Sequence, residues 1–398
     1  MKNSFEVLRA KRGLGGVLGR SLPTVFGLVV MLNSAEAWSS PRILTAEMNT
    51  RGAITRIKKL DQKLHAVIAI DPTAIDQARV LDRAKGSRGT LFGMPILIKD
   101  NIETAGPLPT TAGSLALLGN VAHRDAPVVA KLRSAGAVIL GKTNLSEWAN
   151  IRDKGAVWGW SAVGGQTRNP YALDRDPGGS SSGSGVAVAT GMVDAAIGTE
   201  TDGSITIPAA VNGIVGLKPT VGLVSRTHIV PISHSQDTPG PMAKDVRTAA
   251  LVLSAIAGSD PLDPATADAD RHVQNYASLL RPDALKGVRL GILRFSAGWS
   301  EPVDAVFADA LRLLQAQGAV LVEIPHLEGA EKIGPAETIV LNTELKSDLN
   351  AYLATTPLTV STRTLQQVIA FNTANADREL SLFGQERFVQ AQAKGITK

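Results

Sequence analysis

The chain has 398 residues, of which 44% are hydrophobic and 19% charged, a composition typical of a folded globular protein rather than a disordered one. It contains no cysteine, which excludes disulfides, thiol nucleophiles and cysteine-ligated zinc or iron–sulfur sites. More than half of the net charge of +5 lies in the first 37 residues, and no basic stripe with interleaved aromatic residues follows, so nothing supports nucleic-acid binding.

Residues 1–37 have the pattern of a secretory signal peptide. A basic start leads into the apolar run SLPTVFGLVVML, and the segment ends in Ala35-Glu36-Ala37, a small-residue cleavage pattern. An uncleaved anchor or an ordinary N-terminal helix are the alternatives, although the apolar run is too short for an ordinary membrane span. We therefore expect an exported protein whose mature domain is 38–398, with no stable membrane span after cleavage.

Helical and extended patterns alternate along the rest of the chain. The predicted elements are a helix and a short strand over 43–70, a helix over 72–86, a buried strand over 91–102, a helix, strand and turn over 125–150, loop over 151–180, a helix between Asp245 as N-cap and Gly258, a strand over 287–294, a helix ending at Gly318, a strand over 319–325 and helices from Asn342 on. This alternation predicts an α/β fold.

The segment GGSSSGSG, residues 178–185, has the composition of a flexible linker but directly precedes an apolar stretch. A phosphate-binding loop is excluded because no lysine follows the glycines, and the spacing excludes a dinucleotide-binding fingerprint. A nucleophile elbow would place Ser181 at its centre. It requires a preceding strand, which Pro170 and Pro177 disfavour, and no histidine is an evident partner. Serines in such a loop otherwise act as donors or as base-activated nucleophiles.

Lys99 ends the apolar run GMPILI, which we expect to be buried. Burial lowers the pKa of a lysine and makes it a base near neutral pH, which could take a proton from a serine. The alternative is that Lys99 reaches solvent at the end of its strand. The sequence alone leaves both possibilities open.

A second serine motif, TETDGS, occupies residues 199–204 after the strand-like AAIG. A tight turn after a strand exposes consecutive backbone N–H groups, which can form an oxyanion hole. Glu200 and Asp202 are alternatively a turn residue and a solvated acid, or the carboxylate pair of a glycosidase. Nothing else in the sequence supports the glycosidase.

Several long motifs together resemble the amidase signature family, and most closely its bacterial peptide amidases. They are, in family order, GMPILIKDNI, TTAGSLAL, GKTNLSEWAN, GGSSSGSGVAVATGMVDAAIGTETDGSITIPA, GLKPTVGLVS and DTPGPMAKDV. The resemblance implies a Ser-Ser-Lys triad of Ser204 as acyl-forming nucleophile, Ser180 as proton relay in a cis loop, and Lys99 as base. It implies no metal and no organic cofactor.

The resemblance further implies an oxyanion hole formed by the backbone amides of Thr201, Asp202, Gly203 and Ser204, with Ser181 beside it, helping to orient the lysine. The implied fold is a single large α/β domain, with a mixed β-sheet core covered by helices on both faces. The implied substrate is a small-molecule or peptide amide, with a C-terminal peptide amide preferred.

Family members normally continue beyond the final QERFVQAQAKGITK, so the resemblance leads us to expect that the C-terminal part of the family domain is missing. Three functions therefore remain in view. They are an exported amide hydrolase, a catalytically inactive protein with the same fold, and the glutaminase subunit of a tRNA-dependent amidotransferase. A signal peptide argues against the third.

Overall fold

A computed structural model describes residues 45–86, 88–298 and 300–394. The predicted signal peptide, 1–37, lies outside the described residues. The strands are β1 Val67–Ile70, β2 Pro95–Lys99, β3 Val138–Thr143, β4 Trp160–Ser161, β5 Gly165–Gln166, β6 Ala195–Glu200, β7 Val215–Gly216, β8 Thr238–Ala243, β9 Arg289–Leu293 and β10 Val320–Ile324. The helices are α1 Ala46–Leu64, α2 Ala74–Arg83, α3 Pro127–Ser134, α4 Ser182–Ala189, α5 Thr206–Val211, α6 Val246–Ile256, α7 Glu301–Ala316, α8 Ala330–Ala354, α9 Leu365–Ala374, α10 Ala376–Glu379 and α11 Glu386–Lys394.

Six strands form the central mixed sheet, in the order β1-β3-β2-β6-β8-β7. The three strands β3, β2 and β6 run parallel, with Ile96 of β2 opposite Ile139 and Ala195. The outer strands β1 and β8 run antiparallel to their inner neighbours. Ligands of open α/β sheets bind outside the carboxyl ends of the parallel strands, which here are Thr143, Lys99 and Glu200.

Helices cover both faces of this sheet, as predicted. Alternate residues of a strand point to opposite faces. Ile96 and Ile98 of β2 therefore pack into a cluster with α3 and α6, whereas Leu97 packs into the opposite cluster with α1, α2 and α4. Asp245 caps α6 as predicted, because its carboxylate accepts a hydrogen bond from the amide of Thr248 at 2.7 Å.

Strand β8 has the sequence TPGPMA, which the sequence analysis did not assign to a strand. Proline removes a backbone donor and is disfavoured inside a sheet. The carbonyl oxygen of Pro241 accepts from the amide of Leu217, so the peptide groups of this residue face away from β6. The N–H group that Pro241 lacks would therefore not have bonded to β6. Strand β6 pairs with all six residues of β8.

The C-terminal helices pack on the segment that follows β3. Leu345 and Leu349 of α8 belong to one buried cluster with Trp148, whose ring contacts Phe388 of α11 edge-on at 5.6 Å between centroids. Helix α8 begins at Ala330, twelve residues before the predicted Asn342. Strands β9 and β10 form a separate parallel pair. Within the described ranges, no helix combines the length and the apolar character needed to cross a bilayer.

Candidate active site

Lys99 is a buried lysine at the carboxyl end of β2. Its side chain has no solvent exposure, so the structure contradicts the alternative that it reaches solvent. Its Nζ donates to Ser180 Oγ at 2.7 Å, to Thr199 Oγ1 at 2.8 Å and to the carbonyl oxygen of Thr199 at 3.2 Å. The lysine is thus held between the two serine-bearing segments.

Burial lowers the pKa of Lys99 to about 7, although the negative charges of Asp237 and Glu200 oppose this effect. A lysine with a pKa near neutrality exists partly as the free amine at physiological pH. The free amine accepts a proton, and the ammonium form returns it. Lys99 therefore has the proton affinity that a general base and acid requires.

The serine-rich segment 178–185 is buried throughout, and α4 begins at Ser182, so the linker alternative is wrong. The Gly179–Ser180 peptide bond is cis, and the carbonyl oxygen of Ser180 accepts from the amide of Ser146 at 3.0 Å. The hydroxyls of Ser182 and Ser184 donate to backbone carbonyls. Of the four serines in this segment, Ser180 is the one whose hydroxyl contacts the lysine.

Ser181 lies one residue further on and bonds to Thr199. Its hydroxyl lies 3.2 Å from both the carbonyl oxygen and the amide of Thr199, and its own amide donates to the carbonyl oxygen of Ser204. It therefore contacts Lys99 only indirectly, through the Thr199 carbonyl. Its amide and hydroxyl already make hydrogen bonds within the protein.

The turn 201–204 connects β6 to α5. Among the described residues, the backbone amides of Thr201, Asp202, Gly203 and Ser204 donate to no protein acceptor. Gly203 adopts a φ of +75°, in the left-handed region that favours glycine. Ser204 is 8% exposed, and its hydroxyl makes no hydrogen bond to the described part of the chain. The turn thus offers a free hydroxyl beside unpaired amide donors.

The carboxylates of Glu200, the last residue of β6, and of Asp202, in the turn, have different environments. Glu200 accepts hydrogen bonds from the amides of Ile205 and Thr206 at 2.7 and 2.9 Å, where it caps α5. Asp202 is exposed. Because Glu200 is engaged in capping, the structure gives no support to a glycosidase.

Asp237 is a site residue that the sequence analysis did not identify. One of its carboxylate oxygens accepts from Thr201 Oγ1 at 2.6 Å, and the other accepts from the amides of Ile232 and Ser233. Burial raises its pKa, and these hydrogen bonds oppose the increase. Asp237 precedes β8 in SQDTPGPM. An acid immediately before a strand was the available signal, but the prolines of TPGPMA made that strand unrecognisable in the sequence.

A cavity of about 370 Å³ borders the turn. Its lining includes Asn101, Thr199 and Thr201, together with residues of the segment 226–239 and of α8. Asn101 and Thr199 were also missed, because neither residue type is diagnostic of a site in a single sequence. The cavity provides space for a ligand next to the serine–lysine cluster.

His234, Glu344 and Asp348 lie beside this cavity with ligand atoms within 4.8 Å of one another, a spacing that could hold a metal ion. The groups already bond to each other and to their surroundings. His234 Nδ1 lies 2.9 Å from the carboxylate of Asp348, and Glu344 accepts from the hydroxyls of Ser233 and Ser235. This cluster attaches the loop 233–235 to α8.

Comparison with known proteins defines the family. The family model described as Amidase matches residues 49–392. The chain belongs to the amidase family. A peptide amidase structure from Stenotrophomonas maltophilia is 49% identical with a TM-score of 0.83, over 88% of this chain and 72% of that one. A complex of a peptide amidase with the competitive inhibitor chymostatin gives 49% identity and a TM-score of 0.85, over 89% of this chain and 74% of that one.

Other relatives include an amidase and an amidotransferase subunit. A probable amidase of Arabidopsis thaliana is 43% identical over 364 residues, which are 88% of this chain and 69% of the plant protein. A glutamyl-tRNA(Gln) amidotransferase subunit of Roseiflexus castenholzii is 45% identical over 284 residues, or 70% of this chain and 56% of that protein. The chain spans 47% of a further relative, from Arthroderma benhamiae. Family membership therefore indicates amide hydrolysis without defining the amide.

Proposed function

We propose that the protein hydrolyses a carboxamide C–N bond through an acyl-serine intermediate, with Ser204 as nucleophile, Ser180 as proton relay and Lys99 as base. The observation that carries the proposal is the 2.7 Å contact between a fully buried lysine and Ser180, adjoining a turn that presents a free hydroxyl and unpaired amides. A mobile proton, a nucleophile and anion-stabilising donors are the three requirements of acyl transfer.

In the first half-reaction, Ser204 Oγ bonds to the carbonyl carbon while its proton passes to Ser180, whose own proton passes to Lys99. The amides of Thr201 to Ser204 stabilise the oxyanion that develops on the carbonyl oxygen. The C–N bond then breaks, and the lysine returns the proton through Ser180 to the leaving nitrogen. The products of this step are an ester on Ser204 and ammonia or an amine.

In the second half-reaction, water replaces the leaving group. The relay accepts a proton from the water as its oxygen bonds to the ester carbonyl. The ester bond to Ser204 then breaks, and the relay returns a proton to Ser204 Oγ. The enzyme is restored and a carboxylic acid is released. Every bond that forms or breaks involves the substrate, the water, the two serine hydroxyls or the Lys99 amine, so the scheme requires no cofactor.

The substrate that we favour is the C-terminal amide of a peptide. The similarity to peptide amidases supports this choice, and so does the cavity beside the turn, which is larger than a small aliphatic amide requires. We expect chymostatin to compete with such a substrate, as it does in the related peptide amidase. Small carboxamides are the next class to test.

The test is ammonia release from an amidated peptide by the chain starting at Trp38, with the Ser204→Ala variant as control and circular dichroism of both proteins. We expect release by the parent protein alone. A folded parent protein that releases nothing from peptide amides or small carboxamides would contradict the proposal and favour a catalytically inactive protein of this fold.

A glutaminase role is the second candidate, because a glutamyl-tRNA(Gln) amidotransferase subunit reaches 45% identity with this chain. The same assay distinguishes the two functions. Faster ammonia release from free glutamine than from an amidated peptide would support the glutaminase, and the reverse order would support the peptide amidase.

We also propose that residues 1–37 direct export and are removed. The basic start, the apolar run and the Ala35-Glu36-Ala37 ending support this proposal. Fractionation of the producing cells and N-terminal sequencing provide the test. We expect the exported protein to begin at Trp38, and a cytoplasmic protein beginning at Met1 would contradict the proposal.

A further inference from the structure

The cavity beside the turn is suited to the acyl part of the substrate. This step rests on the proposed function, in which a primary amide loses only ammonia. Ammonia needs no cavity of about 370 Å³, a volume within the range of small-molecule pockets. Ile229, Val230, Pro231 and Ile232 are among its lining residues. The cavity therefore has space and apolar surface for an amino-acid side chain.

Asn101 lines this cavity, and its side chain has an unpaired acceptor. It follows Lys99 by two residues, and its backbone carbonyl is fixed by the amide of Val230 at 2.8 Å. Its Nδ2 donates to Thr199 Oγ1 at 3.0 Å, which fixes the orientation of the side chain. The residue is only 2% exposed, yet its Oδ1 has no hydrogen-bond donor among the described residues.

The carboxylates at the cavity already have partners. Asp237 accepts from Thr201 and from two amides, Asp263 is paired with Arg226, and Asp348 accepts from His234. Among the described cavity-lining residues, Asn101 is the only one with a buried side-chain oxygen that lacks a donor. An unsatisfied buried acceptor is unfavourable, so a ligand that supplies an N–H there gains affinity.

We propose that Asn101 Oδ1 accepts a hydrogen bond from an N–H on the acyl side of the substrate. In a peptide C-terminal amide, the residue that carries the amide has such an N–H on its α-carbon. A simple aliphatic amide has none. Asn101 is thus a substrate-binding residue that selects amides of N-acylated amino acids, and the cavity takes their side chain.

The test compares two ligands of the same shape. One is N-acetyl-leucinamide, and the other has an ester oxygen in place of the acetylated N–H. Their binding is measured by calorimetry to the Ser204→Ala variant, so that turnover does not interfere. We expect the N–H ligand to bind about tenfold more tightly, as one buried hydrogen bond allows.

Two double variants test whether the preference for the N–H ligand depends on Asn101. Ser204→Ala with Asn101→Ala removes the acceptor, and we expect both ligands to bind equally. Ser204→Ala with Thr199→Val removes the hydrogen bond that orients the Asn101 side chain but retains Oδ1, so we expect the preference to be reduced but not abolished. Equal binding of the two ligands to Ser204→Ala, or an unchanged preference after Asn101→Ala, would overturn the inference. If Ser204→Ala prefers the N–H ligand but the parent protein releases no ammonia, the role of Asn101 in binding is upheld and the proposed catalysis is contradicted.

Discussion

The amide of Ser181 donates a hydrogen bond to the carbonyl oxygen of Ser204 at 3.1 Å. This bond joins the serine-rich segment to the turn after β6, although the two residues lie far apart in the sequence. The lysine makes a second connection, because it donates both to Ser180 and to Thr199. The position of the serine-rich segment relative to the turn after β6 is therefore fixed by one backbone hydrogen bond and by the side-chain contacts of Lys99.

Replacing Lys99 by methionine is expected to lower kcat by about 10³-fold, because the proton relay loses its base. The fold should be retained, since a buried cation is replaced by an apolar side chain of similar length. Ammonia release and thermal unfolding measure the two effects. A variant with more than a tenth of the parent activity would contradict the role of Lys99.

Lys142→Met is the contrasting variant, because Lys142 is an equally buried lysine on the neighbouring strand β3. Its Nζ contacts the carbonyl oxygen of Ile102 and lies 3.8 Å from Asp100 Oδ1. Removing it leaves the buried Asp100 carboxylate without a counter-charge, so we expect a loss of about 3 kcal/mol in the free energy of unfolding. Thermal unfolding that is equally affected by both methionine variants would contradict this distinction.

The activity should depend on pH through the ionisation of Lys99. Burial lowers its pKa to about 7, and only the unprotonated amine accepts a proton. Activity is therefore expected to be constant above about pH 7 and to fall about tenfold per pH unit below it. A pH profile of kcat/KM measures this. A profile that stays flat between pH 5 and 8 would contradict an essential lysine base.

Asp237→Asn should shift this profile to lower pH. The negative charge of Asp237 raises the pKa of Lys99, and Glu200 is the other charge that does so. Removing the charge of Asp237 makes the ammonium form less favourable. Thr201→Val is the matched control, because it removes the Thr201–Asp237 hydrogen bond and keeps the charge. A profile that shifts equally in both variants would show that the position of the turn, and not the charge, matters.

Gly183→Ala should distort the serine-rich segment. A Cβ at this position would lie 2.1 Å from the carbonyl oxygen of Ala66 and 2.7 Å from the backbone of Asn144. Backbone atoms cannot rotate away, so we expect a loss of about 3 kcal/mol in the free energy of unfolding together with reduced activity. Gly334→Ala in α8 is the control, since its added Cβ would have no atom within 4 Å beyond its chain neighbours and the backbone of its own helix. That change should be neutral or stabilising.

Much of the fold could be predicted because local patterns and tertiary structure agree. The strand ending at Lys99 and strand β6 both have the local apolar pattern of a buried strand. Strand β8 could not be predicted, because its tolerance of Pro241 depends on which neighbour its peptide groups face. The direction in which these peptide groups face depends on the assembled sheet and cannot be read from the residues of β8 alone.

The same distinction applies to the site. Lys99 stands out in the sequence because it follows an apolar run, and the two serine segments stand out because of their glycines. Thr199, Asp237 and Asn101 do not, because their importance arises from contacts with residues that are distant in the chain. Only the folded arrangement shows that Thr199 contacts both the lysine and Asn101, and that Asp237 holds Thr201.

The central claim is that Ser204 carries the acyl group. Labelling the chain from Trp38 with a fluorophosphonate, followed by peptide mapping by mass spectrometry, tests it most directly, because such probes react with an activated serine. We predict a single adduct on Ser204, and its loss in both Ser204→Ala and Lys99→Met. An adduct on Ser180 or Ser181, or full ammonia release by a protein that the probe does not label, would contradict the account.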